Sequence, residues 1–152
     1  KTLAFAVNGI SQGVCFTGLD GPVYGAAGFY ASDRQVSLLR MLTGEEAMAA
    51  FGASSSITMA VGDPVASAFW DTAGSSPSGL TFSDGGKLVK SETGSNTLAI
   101  MRVGFSEGVH VFEMLVDEDK DGDECTALGI CTKPVAEHSY NCATSRMVRC
   151  YN

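Results

Sequence analysis

The fold prediction rests on the sequence GVHVFEMLVD, residues 108–117. Its residues alternate, so that the two leading valines and Leu115 share one side of a strand, while Phe112 and Met114 share the other. Both sides are apolar, which predicts a strand buried between two layers of structure. The polar run DEDKDGDE at 117–124 follows at once, and a sheet core would not accept it. The stretch therefore predicts a buried strand that leads into a charged surface loop.

The composition is that of one globular domain. The chain has 152 residues, of which 45% are hydrophobic and 18% are charged, so it can bury a sizeable core. Eighteen glycines against four prolines indicate the many tight turns of an all-β chain. The net charge of −7 argues against nucleic acid and membrane surfaces as partners, because both attract basic faces. No long apolar run and no signal-peptide pattern occurs, so we expect no membrane span.

The five cysteines are odd in number and show neither a CxxC pair nor a metal-finger spacing. This pattern predicts a reduced intracellular protein whose thiols are mostly buried, and the expected location is the cytoplasm. Nothing in their spacing indicates a thiol site. The cysteines are Cys15, Cys125, Cys131, Cys142 and Cys150.

Roughly ten short alternating segments, separated by glycine turns, predict strands along the chain. Residues 43–51 differ, because they are rich in the helix formers Ala, Met and Glu. Thr43 and Glu46 have the spacing of a capping box, and Gly52 could end a helix. A short helix and a linker both stay open for this segment. The predicted fold is an all-β antiparallel sandwich with at most one short helix.

Two ordered groups of motifs resemble one known family. In chain order they are LAFAVNG (3–9), GVCF (13–16), Val23-Tyr24 and Phe29-Tyr30, then Trp70-Asp71, LTFSDG (80–85), GVHVFEMLVD (108–117) and ALGIC (127–131). Together they resemble the SPRY (B30.2-like) domain family, which implies a concanavalin-like β-sandwich. Such domains present loops at one end of the sandwich to a peptide or a folded protein.

The two groups stand in an order that differs from the family's, where the segment like 3–9 follows the segment like 109–117. Residues 1–41 resemble the family's C-terminal half and residues 68–152 its N-terminal half, with 42–67 as a linker. Either the domain is circularly permuted, or the chain holds the tail of one repeat and the head of the next. We favour one sandwich, 1–152, because half a sandwich leaves a sheet face bare and sandwich termini often lie close together.

The acidic loop partly matches an EF-hand calcium loop. Asp117, Asp119, Asp121 and Gly122 fit its positions one, three, five and six. The twelfth position, which needs a bidentate glutamate, is Leu128. A solvated hairpin tip is therefore the preferred interpretation, and the sequence predicts neither a metal site nor a cofactor.

Catalytic motifs are missing from the sequence, which contains no G-x-S-x-G, G-x-G-x-x-G or phosphate-binding loop. His110 lies within the alternating stretch, where a packed or edge residue is expected rather than a base. Trp70 could anchor a partner, although a core aromatic is the favoured interpretation. We therefore predict a protein that is not an enzyme.

By resemblance, the expected function is a non-enzymatic protein–protein interaction module, part of a larger intracellular protein such as a ubiquitin ligase. The expected partner is a protein or peptide, bound by the loops at 32–34, 117–124 and 137–146. A lectin-like or calcium-dependent ligand-binding sandwich, and a structural repeat in a large assembly, are the alternatives, and fold alone does not separate the three. The predicted partner-binding residues are Asp33, Arg34, Asp119, Asp121, Tyr140 and Arg146.

Overall fold

The structure is a computed structural model that describes residues 1–52, 69–119, 125–139 and 141–150. Two four-stranded antiparallel sheets pack together, and a two-stranded hairpin precedes them. The elements are β1 (Leu3–Val7), β2 (Ile10–Phe16), β3 (Val23–Phe29), β4 (Arg34–Thr43), α1 (Gly44–Gly52), β5 (Leu80–Ser83), β6 (Leu88–Ser91), β7 (Thr97–Phe105), β8 (His110–Asp119), β9 (Thr126–Cys131) and β10 (Ser145–Arg149). This arrangement confirms the predicted β-sandwich.

The two sheets draw strands from both halves of the chain. The β4 sheet has the order β5-β6-β4-β8, and the β3 sheet has the order β10-β9-β3-β7. The early strands β3 and β4 are thus central, each between two later strands. One sandwich therefore uses strands on both sides of the predicted linker, of which residues 53–67 lie outside the described residues. The permuted order relative to SPRY domains stays a prediction.

The main core lies between the sheets and is lined by the alternate residues that face inward. Its buried members are Ala27, Phe29, Val36, Leu38, Met41, Trp70, Val89, Ala99 and Met101. A second cluster, on the other side of the β3 sheet, contains Ala26, Leu98, Ile100 and Cys131. Val135, from the loop between β9 and β10, packs against this second cluster.

The strand from which the fold was predicted is an edge strand. β8 pairs with β4, and no other described strand pairs with it. Phe112 and Met114 pack on the core, whereas Leu115 is 47% exposed. The prediction of a strand buried between two layers is therefore wrong. Alternation identifies a strand and its inner side, but the neighbours of a strand depend on pairing with residues far away in sequence.

The short helix exists, since α1 occupies Gly44–Gly52. Glu45 and Glu46 lie in its first turn, where negative charge complements the helix dipole. Ala47 is fully buried. Within the described part of the chain, no helix has the length and apolar character that a membrane span requires.

The hairpin of β1 and β2 turns at Asn8-Gly9, as the sequence predicts. Both residues have positive φ angles, 50° and 78°, which a tight two-residue turn requires and which asparagine and glycine adopt readily. Val7, Ile10 and Val14 are exposed on it. Among the described strands, β1 and β2 pair with each other alone.

Residues 69–76 cover the edge of β7 and connect the two sheets. The Asp71 N–H donates to the Ile100 carbonyl oxygen at 2.7 Å, and the Arg102 N–H donates to the Phe69 oxygen at 2.9 Å. Trp70, which is 3% exposed, reaches the other sheet, where its Nε1–H donates to the Lys87 carbonyl oxygen at 2.8 Å. Trp70 is therefore a core residue.

The Asp71 carboxylate holds residues 69–76 in place through an ion pair and two hydrogen bonds. Its Oδ2 lies 2.7 Å from Lys133 Nζ, which also lies 4.5 Å from the centre of the Tyr24 ring. Its Oδ1 accepts hydrogen bonds from the N–H groups of Ala73 and Gly74. Burial raises the pKa of Asp71, but the hydrogen bond and charge of Lys133 and the two N–H donors outweigh it. The pKa of Asp71 therefore lies below its ordinary value of 3.8.

We expect Asp71→Asn to lower the free energy of unfolding by about 1 kcal/mol at pH 7. A carboxyl group whose pKa is lowered by folding stabilises the protein above its unfolded pKa, and this contribution disappears as pH falls through the folded pKa. The difference between wild type and variant should thus persist from pH 7 to pH 4 and shrink below 3.8. Urea unfolding across this range measures it. A difference that stays constant down to pH 2 would contradict the assignment.

Candidate partner-binding surface

The strand ends place the predicted loops at opposite ends of the sandwich. Arg34, at the start of β4, pairs in register with Asp119 at the end of β8. Ser145, at the start of β10, pairs with Cys131 at the end of β9, and Cys131 pairs with Tyr24 at the start of β3, the end opposite Tyr30. Residues 32–34 and 117–119 therefore lie together, and residues 141–146 lie away from them. One binding surface does not combine all three loops.

We call the first of these regions the Tyr30 end, and it consists of residues 30–33, 90–92 and 117–119. Backbone hydrogen bonds join its parts. The Asp33 N–H donates to the Ser91 oxygen at 2.8 Å, and the Tyr30 N–H donates to the Cys125 oxygen at 2.9 Å. The first bond connects two strands of the β4 sheet, and the second connects β3 to the start of β9. The corner after β3 is thus held from both sheets.

Arg34 and Asp119 form a buried ion pair beneath this surface. Arg34 Nε lies 2.8 Å from Asp119 Oδ1, and Arg34 is 1% exposed. The Arg34 Nη1 group also donates to the carbonyl oxygen of Ser32 at 3.1 Å, and the Thr126 hydroxyl donates to Asp119 at 3.3 Å. These two predicted partner-binding side chains are therefore engaged inside the protein. Their geometry suits them to position the surrounding loops.

Asp33 lies at the surface, beside the buried pair. Its φ of 58° is uncommon outside glycine, asparagine and aspartate. The carboxylate accepts a hydrogen bond from the Ser32 hydroxyl at 3.2 Å and lies 3.7 Å from Lys90 Nζ. Both charged side chains remain partly exposed. Asp33 is thus placed where a partner could reach it.

Tyr30 is the exposed aromatic residue of this end, at 53% exposure. Tyr30 is not among the partner-binding residues predicted from the sequence, where it occurs only in the Phe29-Tyr30 motif. The sequence signal is the adjacent aromatic pair Phe29-Tyr30: successive strand residues face opposite ways, so one of the two rings is expected to face outward, and Phe29 is the buried one. The Tyr30 backbone is held by Cys125, as described above. An aromatic ring on a fixed backbone loses little freedom when a partner covers it, which favours binding.

The charge of the Tyr30 end is mostly negative. Exposed Glu92 and Asp117 accompany Asp33 there, and Lys90 is already in contact with Asp33. In sequence, six of the eight residues at 117–124 are acidic. The described part of the Tyr30 end therefore carries more acidic than basic side chains. Clustered charge of one sign attracts partners of the other sign.

The remaining predicted site residues fall elsewhere. Arg146 is exposed at the opposite end, where its Nη1 group donates to the carbonyl oxygens of Ala143 at 3.0 Å and Ser145 at 2.7 Å. It lines a cavity of about 230 Å³ between the residues before β3 and the loop that precedes β10. Asp121 and Tyr140 lie outside the described residues.

His110 is a packed residue, in the way the sequence suggests. Its Nε2 lies 2.7 Å from the Glu107 carbonyl oxygen, and its ring stacks on Phe105 with 3.8 Å between ring centres. Over the described ranges, no three His, Cys, Asp or Glu side chains are grouped as metal ligands would be. The acidic loop is described up to Asp119 and again from Cys125, so the positions between them lie outside this observation.

Searches against protein families, curated proteins and solved structures found no match for this chain. The resemblance to SPRY domains thus rests on the sequence motifs alone.

Proposed function

We propose that the protein is a non-enzymatic interaction module that binds a basic peptide segment of a partner protein at the Tyr30 end. The observation that carries the proposal is an exposed tyrosine on a fixed backbone, at an end of the sandwich that also carries Asp33, Glu92 and Asp117. Within a longer intracellular protein, such as a ubiquitin ligase, the module would bring a selected partner to the other domains. The resemblance to SPRY domains supports this role.

Tyr30, the carboxylates and the buried ion pair have different roles in this proposal. Tyr30 supplies the apolar contact that dominates the affinity, as buried aromatic anchors do in many interfaces. Asp33, Glu92 and Asp117 attract lysine and arginine side chains, which raises the association rate and sets the preference for basic sequences. The buried pair of Arg34 and Asp119 keeps the loops in place, so that binding requires little ordering.

Selection of a random phage-displayed peptide library on the immobilised protein tests the preference. We expect the enriched peptides to carry lysine or arginine residues beside an apolar residue. Binding of a selected peptide, followed by fluorescence anisotropy, should weaken as the salt concentration rises, because salt screens exposed charges. Enrichment of acidic or uncharged peptides contradicts the proposal.

Tyr30→Ala should weaken the binding of a selected peptide by about 10- to 30-fold, since truncation of an aromatic anchor removes its contact area. Arg146→Ala is the matched control, because it changes another exposed side chain at the opposite end of the sandwich. Fluorescence anisotropy titrations of both variants and the wild type give the ratio of dissociation constants. Equal affinity of wild type and Tyr30→Ala would place the site elsewhere, and so would a loss confined to Arg146→Ala.

A further inference from the structure

Two buried cysteines lie at the end of β9, opposite the Tyr30 end. Cys131 is the last residue of β9, and Ser145 of β10 pairs with it in register. The Ser145 N–H donates to the Cys142 carbonyl oxygen at 3.0 Å, so a tight turn brings Cys142 back beside this pair. Cys131 and Cys142 are both buried, and both exist as free thiols in the structure.

The surroundings of Cys142 favour its thiolate. Its Sγ lies 2.9 Å from the Thr144 hydroxyl oxygen. Burial raises the pKa of Cys142, but hydrogen bonds from the Thr144 hydroxyl and N–H, the Glu137 N–H and the Ser145 hydroxyl outweigh that effect. The pKa of Cys142 therefore lies below its ordinary value of 9.0. A thiolate held by several donors is the reactive form of cysteine.

Cys131 has the opposite character. Burial raises the pKa of Cys131 to about 12, with the charge of Lys133 acting to lower it and the charge of Cys142 acting to raise it further. The pairing of Ser145 with Cys131 and the hydrogen bond from the Ser145 N–H to the Cys142 carbonyl oxygen place the two cysteines near each other. One reactive thiolate beside one protonated thiol is the usual arrangement of an attacking cysteine and its resolving partner.

A cavity lies beside Cys131 and the residues that follow Cys142. It has a volume of about 230 Å³, and its lining includes Cys131, Ala143, Thr144 and Arg146. That volume accommodates a peroxide. The cavity thus adjoins both the resolving thiol and the residue that donates to Cys142.

We propose that Cys142 and Cys131 form a peroxide-sensitive thiol pair that closes into a disulfide. The Cys142 thiolate attacks hydrogen peroxide; an S–O bond forms, the O–O bond breaks, and the departing hydroxide takes up a proton as water. Cys131 then attacks the sulfenic acid; an S–S bond forms, the S–O bond breaks, and the oxygen leaves as water with the Cys131 proton. In sum, two thiols and one peroxide yield one disulfide and two water molecules.

The disulfide would close a loop over residues 131–142, the segment that contains Lys133 and borders the cavity. Closing a loop of this length restricts the unfolded chain, and we expect the midpoint of thermal unfolding to rise by about 5–10 °C. A reductant such as dithiothreitol should reverse the rise.

Peptide mapping tests the pair directly. The protein is treated with hydrogen peroxide, blocked with iodoacetamide and digested with trypsin and a glutamate-specific protease, which separates the two cysteines at Glu137. Mass spectrometry should find the two peptides joined with the loss of two hydrogen atoms, and fragment ions should assign the link to Cys131 rather than Cys125. A link between other cysteines, or equal oxidation of all five, overturns the proposal.

Single variants separate the two roles. In Cys131→Ser, Cys142 should stop at the sulfenic acid and be labelled by dimedone, whereas in Cys142→Ser neither label nor link should form. Cys125→Ser is the control, and it should form the link as the wild type does. Dimedone labelling of Cys131 in Cys142→Ser reverses the assigned roles and overturns the proposal. If a serine variant does not fold, the corresponding alanine variant serves the same comparison.

Discussion

Arg34→Met should destabilise the protein by about 3–5 kcal/mol, because it leaves the Asp119 carboxylate buried without its cation. The two charges lie 2.8 Å apart, and Arg34 also donates to the carbonyl oxygens of Ser32 and Asp33. Arg34→Met therefore also loses these two hydrogen bonds, which hold the corner after β3. Urea unfolding followed by tryptophan fluorescence measures the change, and Trp70 is the one tryptophan of the chain.

Two further variants test whether the loss of stability in Arg34→Met comes from leaving a buried charge unpaired. Arg34→Met combined with Asp119→Leu removes both charges and should recover most of the lost stability, since apolar residues often replace a buried pair at little cost. Lys90→Met removes a cation from the partly exposed contact with Asp33, 3.7 Å away, and should change stability by about 0.5 kcal/mol or less. If Arg34→Met costs no more than Lys90→Met, the pair is not buried as the structure shows.

Trp70→Ala should also cost about 3–5 kcal/mol, because it opens a cavity between the two sheets. Trp70 packs with the main core and bridges to Met101 of β7, while its ring N–H satisfies the Lys87 carbonyl oxygen. The alanine variant therefore loses a contact with each sheet. Unfolding is followed by circular dichroism, since the variant lacks the fluorescent residue.

The matched comparisons for Trp70 are Trp70→Phe and Tyr30→Ala. Trp70→Phe keeps most of the apolar contact but removes one of the two hydrogen bonds that the Lys87 carbonyl oxygen accepts, since the Leu38 N–H also donates to it at 2.9 Å, so we expect a loss of about 0.5–1.5 kcal/mol. Trp70→Phe also gives a measurable free energy of unfolding if Trp70→Ala does not fold. Tyr30→Ala truncates an exposed aromatic and should lie within about 0.5 kcal/mol of wild type. Equal effects of Trp70→Ala and Tyr30→Ala would contradict the core position of Trp70.

Much of the local structure is predictable because it depends on neighbouring residues. Asn8-Gly9 is a tight turn because both residues accept positive φ angles. Residues 44–52 form a helix because their side chains favour one and the glycines bound it. The inner side of β8 follows from the alternation of Phe112 and Met114. Each of these features is encoded within about ten residues.

The candidate site depends on contacts between residues far apart in sequence, and there the predictions were less successful. Charged side chains beside turns are usually solvated, which is why Arg34 and Asp119 were assigned to the surface. Their burial results from the register of β4 with β8, which no local pattern contains. The same holds for residues 141–146, whose distance from Tyr30 follows from the register of β9 with β3 and of β10 with β9.

The sequence by itself determined the all-β class, the positions of most strands, the turn at Asn8-Gly9 and the helix, since alternation, turn propensity and helix propensity act over short distances. The tertiary structure decided that the stretch 108–117 contributes an edge strand, that Arg34 and Asp119 are buried, and that the turn from Cys142 to Ser145 reaches Cys131. Strand pairing brings distant residues together through backbone hydrogen bonds. These bonds are much the same whichever side chains the paired residues carry, so they do not select the partner strand. Which strands pair is therefore settled by the packing of the whole core.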